Sequence, residues 1–138
     1  MTERIEPSLL EELRRLRDSA YAPYSRHPVA AVVETDAGQR FGGTNVEVAH
    51  YKSVCAEASA ISVMISLGAA ESLRVRRVWV LGPDDRPCTP CGDCRQRLRE
   101  FGDDATLIEA VDNAGRITRS HTLDELLPDA FGPNNIPG

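Results

Sequence analysis

The chain has 138 residues with 16 Lys and Arg against 21 Asp and Glu, giving a net charge of −5, and 41% of its residues are hydrophobic. That length suits one compact domain with its own core, and the acidic balance argues against nucleic acid as a partner. The longest apolar stretch, about residues 58–70, is too short to span a bilayer, and the opening MTERIEPSLLEE has no signal region, so a cytoplasmic protein with no membrane partner is expected.

Leu9, Leu13, Leu16 and Ala20 in PSLLEELRRLRDSA fall on one helical face, with Ser8 and Glu11 at capping-box spacing, and predict a first helix over 7–20. YAPYSRHP interrupts it, and VAAVVET followed by DAG and QRFGGTNVEV reads as a hairpin of two strands. A second helix is expected from Ser53 to Leu67, burying Ile61, Met64 and Ile65 and stopping at Gly68. RVRRVWVLG reads as a strand covered on both faces. From Gly92 to Phe101 a third helix carries Cys94, Leu98 and Phe101 on one stripe. ATLIEAV is then a buried strand, DNAG turns it into RITRSH, and TLDELLP is a short last helix. This order predicts one mixed sheet covered by helices, its strand–helix units packing parallel strands, in a single domain over 1–138. The core runs over about 7–131, and the tail GPNNIPG, 132–138, is expected to be flexible.

Four cysteines stand at positions 55, 88, 91 and 94. In a reducing compartment such clustering points to metal binding or catalysis rather than disulfides. Cys55 opens the second helix, and Cys91 and Cys94 open the third. Helix starts carry unpaired N–H groups and partial positive charge, which favour thiolates. Two such starts lying side by side would bring three sulfurs around one ion, leaving the open fourth position of a catalytic zinc. Cys88, Cys91 and Cys94 also match the spacing of iron–sulfur ligands, and all four cysteines could enclose a structural zinc in a non-catalytic module. Cys88 follows Pro87 in a loop and reads as an incidental thiol. Glu57, two residues after Cys55, is placed to move protons at such a site. A Cys-Ala-Glu segment followed by Pro-Cys-x-x-Cys is a signature of zinc nucleobase deaminases.

On these residues, and on AYAPYS (20–25), NVE (45–47), PCGDCRQ (90–96) and LLPDAF (126–131), the chain resembles the cytidine deaminase family in its small homotetrameric form. The resemblance covers about residues 10–131. It implies a three-layer α/β/α sandwich around a five-stranded mixed sheet. It also implies zinc-dependent hydrolysis of cytidine and deoxycytidine to uridine and deoxyuridine with loss of ammonia, in pyrimidine salvage. Cys55, Cys91 and Cys94 would be the zinc ligands, Glu57 the proton carrier, and Asn45 and Glu47 the pair bonding the ribose 3′-hydroxyl. Ala56 and His27 would line the substrate site, Arg95 would balance the charge of the thiolates, and Phe131 would pack on the base in a neighbouring subunit.

The sequence also departs from the family pattern. His27 stands where the family commonly has Phe, Ala58 where it often has Arg, and Val48 and His50 differ near the subunit contact. These differences leave open a modified nucleoside or a blasticidin-type antibiotic as substrate, while Asn45 and Glu47 favour an ordinary nucleoside.

Overall fold

The computed structural model describes residues 3–137. In chain order the elements are α1 (Pro7–Ser19), β1 (Ala30–Thr35), β2 (Arg40–Thr44), α2 (Ala56–Leu67), β3 (Val75–Leu81) and α3 (Gly92–Phe101). They are followed by β4 (Leu107–Val111), β5 (Ile117–Thr122), α4 (Leu123–Leu126) and a 3-10 turn over Pro133–Asn135. The strands form one sheet in the order β2-β1-β3-β4-β5. Only β3 and β4 pair in parallel among the described strands, and the remaining neighbours are antiparallel. This is the mixed sheet expected from the element order, with the five strands that the family resemblance implies.

Alternation along the strands divides the core into two halves. Ala30 and Val32 of β1, with Trp79 and Leu81 of β3, face Leu9, Leu13 and Leu16 of α1. Ala31 and Val33, with Val78 and Val80, face Ala60, Ile61 and Met64 of α2 and Leu98 of α3. Each fully buried Leu or Met in these layers contributes about 1.5–3 kcal/mol. The result is an α/β/α sandwich with α1 on one face and α2 and α3 together on the other. Gly43 of β2 is where α2 comes closest to the sheet: a Cβ there would lie 2.7 Å from the Ser59 side chain and would also meet the Ala60 backbone.

Four local expectations are corrected. The helix α1 takes Glu6 as its N-cap with no side-chain cap, because Pro7 occupies the first helical position and places Ser8 inside the helix. The capping box belongs instead to α4, where the Thr122 hydroxyl and Glu125 serve each other's backbone N–H groups. Helix α2 starts at Ala56 rather than near Ser53, since Val54 is held extended by pairing with Val46. Ile65 is 45% exposed; α2 is apolar around most of its circumference, so its sequence does not single out the inward face. Gly68 ends that helix in the left-handed region, φ 65°, as read from the sequence. The tail expected to be unstructured forms the 3-10 turn, closed by the Gly132 N–H donating to the Asn135 side chain at 2.7 Å.

Among the described residues no helix is long and apolar enough to cross a membrane.

Candidate active site

Two helix starts meet on one side of the sheet. Cys55 is the N-cap of α2 and Cys91 the N-cap of α3, while Cys94 lies buried in the first turn of α3. The pairing of Val46 with Val54 fixes the chain immediately before Cys55. All three sulfurs lie within 4.8 Å of one another, and those of Cys55 and Cys91 are 3.9 Å apart. Two sulfurs sharing a tetrahedral zinc at about 2.3 Å each would be about 3.8 Å apart. The Cys55–Cys91 separation matches that value, and the three-sulfur donor set suits zinc.

Cys88 is not a member of this cluster, which comprises Cys55, Cys91 and Cys94 among the described residues. A ligand set needing the fourth cysteine, whether a closed four-sulfur zinc or an iron–sulfur cluster through Cys88, does not match this geometry. Cys88 lines the adjacent cavity instead, where burial, followed by the charges of Glu57 and Asp84, pushes its thiol up to about 11.

Two of the thiols have raised pKa values despite their place at helix starts. Burial, reinforced by the neighbouring Cys91, raises that of Cys55; burial and then the charges of Glu57, Cys55 and Cys91 raise that of Cys94. Crowded and desolvated thiols resist ionisation, and this is the cost that a divalent cation between them offsets.

Glu57, in the first turn of α2, is 4% exposed. Burial raises its carboxyl above the ordinary range, against the opposing effects of its own backbone N–H and the Cys94 thiol. With Ala56, Cys55 and Cys91 it lines a cavity of about 400 Å3 that opens to solvent. Val29, Cys88 and Thr89 form other walls, and Ser25, His27, Asn45 and Glu47 stand along the rim of the same cavity.

Asn45 and Glu47 do more than face this space. The Asn45 side chain accepts from the Val29 N–H and donates to the His27 carbonyl, each at 2.9 Å. The Glu47 carboxylate accepts the N–H groups of Tyr24 and Ser25 at 3.0 Å and also the Ser25 hydroxyl. These bonds hold the 21–29 segment over the cavity, and they keep the Glu47 carboxyl below the usual range, the Ser25 hydroxyl having the largest effect. His27 is exposed at the mouth.

Two other candidates lie elsewhere. The Arg95 guanidinium donates to the carbonyls of Pro90 at 2.7 Å and Leu126 at 2.9 Å, tying the loop before Cys91 to α4. Phe131 is 59% exposed and outside the lining of its own chain's cavity; its carbonyl accepts from the Gln96 side chain at 2.8 Å. Sequence reasoning passed over Ser25, Val29, Thr89 and Cys88 as cavity residues. Ser25 sits inside the quoted AYAPYS stretch and Thr89 directly precedes PCGDCRQ, so nearness to a motif was the available signal; Cys88 was read as an incidental thiol, and Val29 carried no signal.

An α/β/α sandwich with three thiols converging beside a buried carboxylate defines the class, a hydrolytic deaminase of the zinc-binding kind. Residues 4–110 match the family model described as "Cytidine and deoxycytidylate deaminase zinc-binding region". A cytidine deaminase of Mycobacterium tuberculosis is 37% identical over 119 residues, 86% of this chain and 83% of that protein. One from Sporosarcina psychrophila is 31% identical over 129 residues, 93% of this chain and 92% of its own length. The crystal structure of cytidine deaminase from Burkholderia pseudomallei superposes with a TM-score of 0.80 at 34% identity, covering 92% of this chain and 99% of that one. The chain belongs to the cytidine deaminase family.

Proposed function

We propose that this enzyme hydrolyses cytidine and deoxycytidine to uridine and deoxyuridine, releasing ammonia, with a zinc ion held by Cys55, Cys91 and Cys94. The observation that carries this reading is the buried Glu57 carboxyl beside three converging thiols, at the inner end of a cavity whose rim presents Asn45 and Glu47. When bound, zinc supplies the Lewis acidity that brings the pKa of a water down to about 7. Glu57 takes a proton from the attacking water, passes it to ring nitrogen 3, and delivers a second to the departing amine; its buried carboxyl beside the three thiols is placed for this transfer. The oxygen of water ends on carbon 4 as the carbon–nitrogen bond breaks.

At the other end of the cavity, Asn45 and Glu47 are assigned to the sugar hydroxyl. Their own bonds to the 21–29 segment fix them in place before substrate arrives, which lowers the ordering cost of binding. Ala56 and His27 line the path between sugar and metal ends, and Arg95 acts by holding Pro90 and hence the start of α3.

The enzyme is further assigned as a cytoplasmic homotetramer serving pyrimidine salvage, with Phe131 packing into a neighbouring subunit's site. Supporting this are the exposure of Phe131 and an apolar surface made by Tyr21, Val46 and Val54, which are linked by successive bridges while 56%, 40% and 44% exposed. The test is ammonia release from cytidine, deoxycytidine and free cytosine: turnover of the two nucleosides but not cytosine is expected. Absence of turnover on both nucleosides by zinc-loaded protein would overturn the proposal.

A further inference from the structure

A serine hydroxyl has one hydrogen to donate, and an ionised carboxylate offers two acceptor positions on each oxygen and no donor. On the cavity rim, Ser25 and Glu47 use theirs on each other and on nearby backbone. Oε1 of Glu47 accepts the N–H groups of Tyr24 and Ser25, each at 3.0 Å, which fills both of its positions. Oε2 accepts the Ser25 hydroxyl and no other group among the described residues, so one position on it stays open.

The Ser25 hydroxyl is itself fixed in direction. Its oxygen accepts the His27 N–H at 3.0 Å while its hydrogen goes to Glu47. Arg26, between these two bonds, lies in the left-handed region at φ 55°, a conformation that a non-glycine residue keeps where its surroundings hold it. The bond from Ser25 is also the largest of the effects that keep the Glu47 carboxyl below its usual range, so the open position belongs to a charged acceptor at neutral pH. Two residues before Glu47, the Asn45 amide keeps one hydrogen unused after donating to the His27 carbonyl. One charged acceptor and one amide donor together match a hydroxyl.

The two carboxylate oxygens therefore have separate tasks. Oε1 anchors the 21–29 segment, which is held as well by the Glu47 N–H donating to the Tyr21 carbonyl at 2.9 Å and by both side-chain bonds of Asn45. None of these bonds uses the Ser25 hydroxyl. Removing that hydroxyl leaves the segment tied and changes Oε2 alone: it gains a second open position, which water fills, and loses the bond that fixes its direction. A ligand hydroxyl then meets a less ordered and better hydrated acceptor, and its presence or absence on the ligand matters less.

Resting on the cytidine deaminase reading above, we infer that Ser25 is a positioning residue for sugar recognition: by donating to Oε2 of Glu47 it leaves a single directed acceptor there, and so determines how strongly the enzyme prefers a nucleoside with a 3′-hydroxyl to one without it.

The experiment measures kcat/KM of the zinc-loaded enzyme for cytidine and 3′-deoxycytidine in wild type, Ser25→Ala, Ser25→Gly and Ser25→Thr, with Tm and zinc content of each. Wild type is expected to prefer cytidine by about 100-fold or more, since a site built to bond a hydroxyl strongly rejects the analogue lacking it. In Ser25→Ala and Ser25→Gly that preference is expected to fall at least about tenfold, the lower end of what a hydrogen bond to a charged group contributes. Ser25→Thr keeps the hydroxyl and is expected to stay within about threefold of the wild-type preference. Ser25 is exposed, so these variants remove no core packing, and the two hydroxyl-free variants give independent readings. A preference unchanged in the hydroxyl-free variants, whatever their rates on either substrate, overturns the inference and leaves the proposed function standing. So does a fall that Ser25→Thr shares in full, which would assign the loss to side-chain shape. Wild-type turnover of cytidine with no preference over 3′-deoxycytidine overturns the inference together with the sugar-end assignment of Asn45 and Glu47. Wild-type inactivity on both nucleosides overturns the proposed function itself.

Discussion

The sulfurs of Cys55 and Cys91 lie 3.9 Å apart although 36 residues separate them in sequence. That approach requires α2 and α3 to start at the same place on the sheet, and the third sulfur, Cys94, follows from one further turn of α3. Elemental analysis of the purified protein is therefore expected to give one zinc per chain. Serine at position 55, 91 or 94 should weaken zinc binding by more than the roughly 10–100-fold that outer-shell changes cost. Cys88→Ser should retain full zinc, because its sulfur lies outside the cluster. Zinc loss from Cys88→Ser, or zinc retained in all three ligand variants, would refute the assignment. Removing the metal with a chelator should lower Tm, since an ion bound only to the folded state stabilises it by mass action.

Glu57 is buried next to that cluster, and Glu57→Gln keeps its volume while removing its ability to shuttle protons. The expected result is a fall in kcat of roughly 10²–10⁴, with zinc content and Tm close to wild type. Steady-state kinetics on cytidine alongside metal analysis separates this outcome from a variant that has lost its metal. An active Glu57→Gln enzyme would remove Glu57 from the proton path.

Much of this was legible in the sequence, for local reasons. Alternating Ala-Val-Val and Val-Trp-Val runs specify strands buried on two faces, and three Leu residues at helical spacing specify α1. The cysteine spacing, with Glu57 two residues after Cys55, pointed to the three thiols that the fold brings together. What sequence could not supply depends on how the chain is held from a distance. The delayed start of α2 comes from the Val46–Val54 pairing, and the exposure of Ile65 from which face of an all-round apolar helix meets Gly43. The position of Cys88 in a cavity wall follows from the path of the 83–90 loop, which no periodicity encodes. Arg95, expected to balance thiolate charge, is committed to two carbonyls, a choice visible only once α4 is in place.

Gly43 sets how closely α2 approaches β2, and α2 carries Cys55 at its start. A methyl group at position 43 would collide with Ser59 and the Ala60 backbone, neither of which can rotate away freely. Gly43→Ala is expected to destabilise the fold by about 1–3 kcal/mol, the usual cost of overpacking. Because the strain displaces α2 relative to α3, zinc affinity should fall along with Tm. A variant with lowered Tm and unchanged zinc affinity would show that the metal site does not depend on this contact.

Phe131 is held by its backbone carbonyl, through Gln96 of α3, while its ring is largely exposed. If the ring packs on substrate in a neighbouring subunit, Phe131→Ala should raise KM by roughly threefold to tenfold, corresponding to about 0.5–1.5 kcal/mol of aromatic contact. Tm should barely move, since little of the ring is buried in its own chain. Gln96→Ala should act in the same direction more weakly, by loosening the segment that carries the ring. Initial rates together with mass measurement by light scattering test this. A KM unchanged in a Phe131→Ala variant of wild-type mass would separate Phe131 from the site.

Asp112 provides a test of stability remote from the metal. It is 3% exposed at the turn after β4, where its carboxylate accepts the N–H groups of Ala114 and Arg116 at 2.9 Å and pairs with the Arg116 guanidinium at 2.8 Å. Burial opposes its ionisation, but the bonds from Arg116 and Ala114 outweigh burial and hold its pKa below the ordinary 3.8. A carboxyl with a lowered folded-state pKa contributes stability at pH values above 3.8 and loses it as pH falls through the lowered value. Asp112→Asn removes the charge and this dependence. Its Tm deficit relative to wild type is therefore expected to be full at pH 7 and pH 5 and to shrink on going to pH 3 and below. Thermal denaturation of the pair at those pH values reads the difference directly, and zinc loss in acid affects both proteins alike. A deficit that stays constant, or grows, toward low pH would show that Asp112 does not stabilise the turn through its charge.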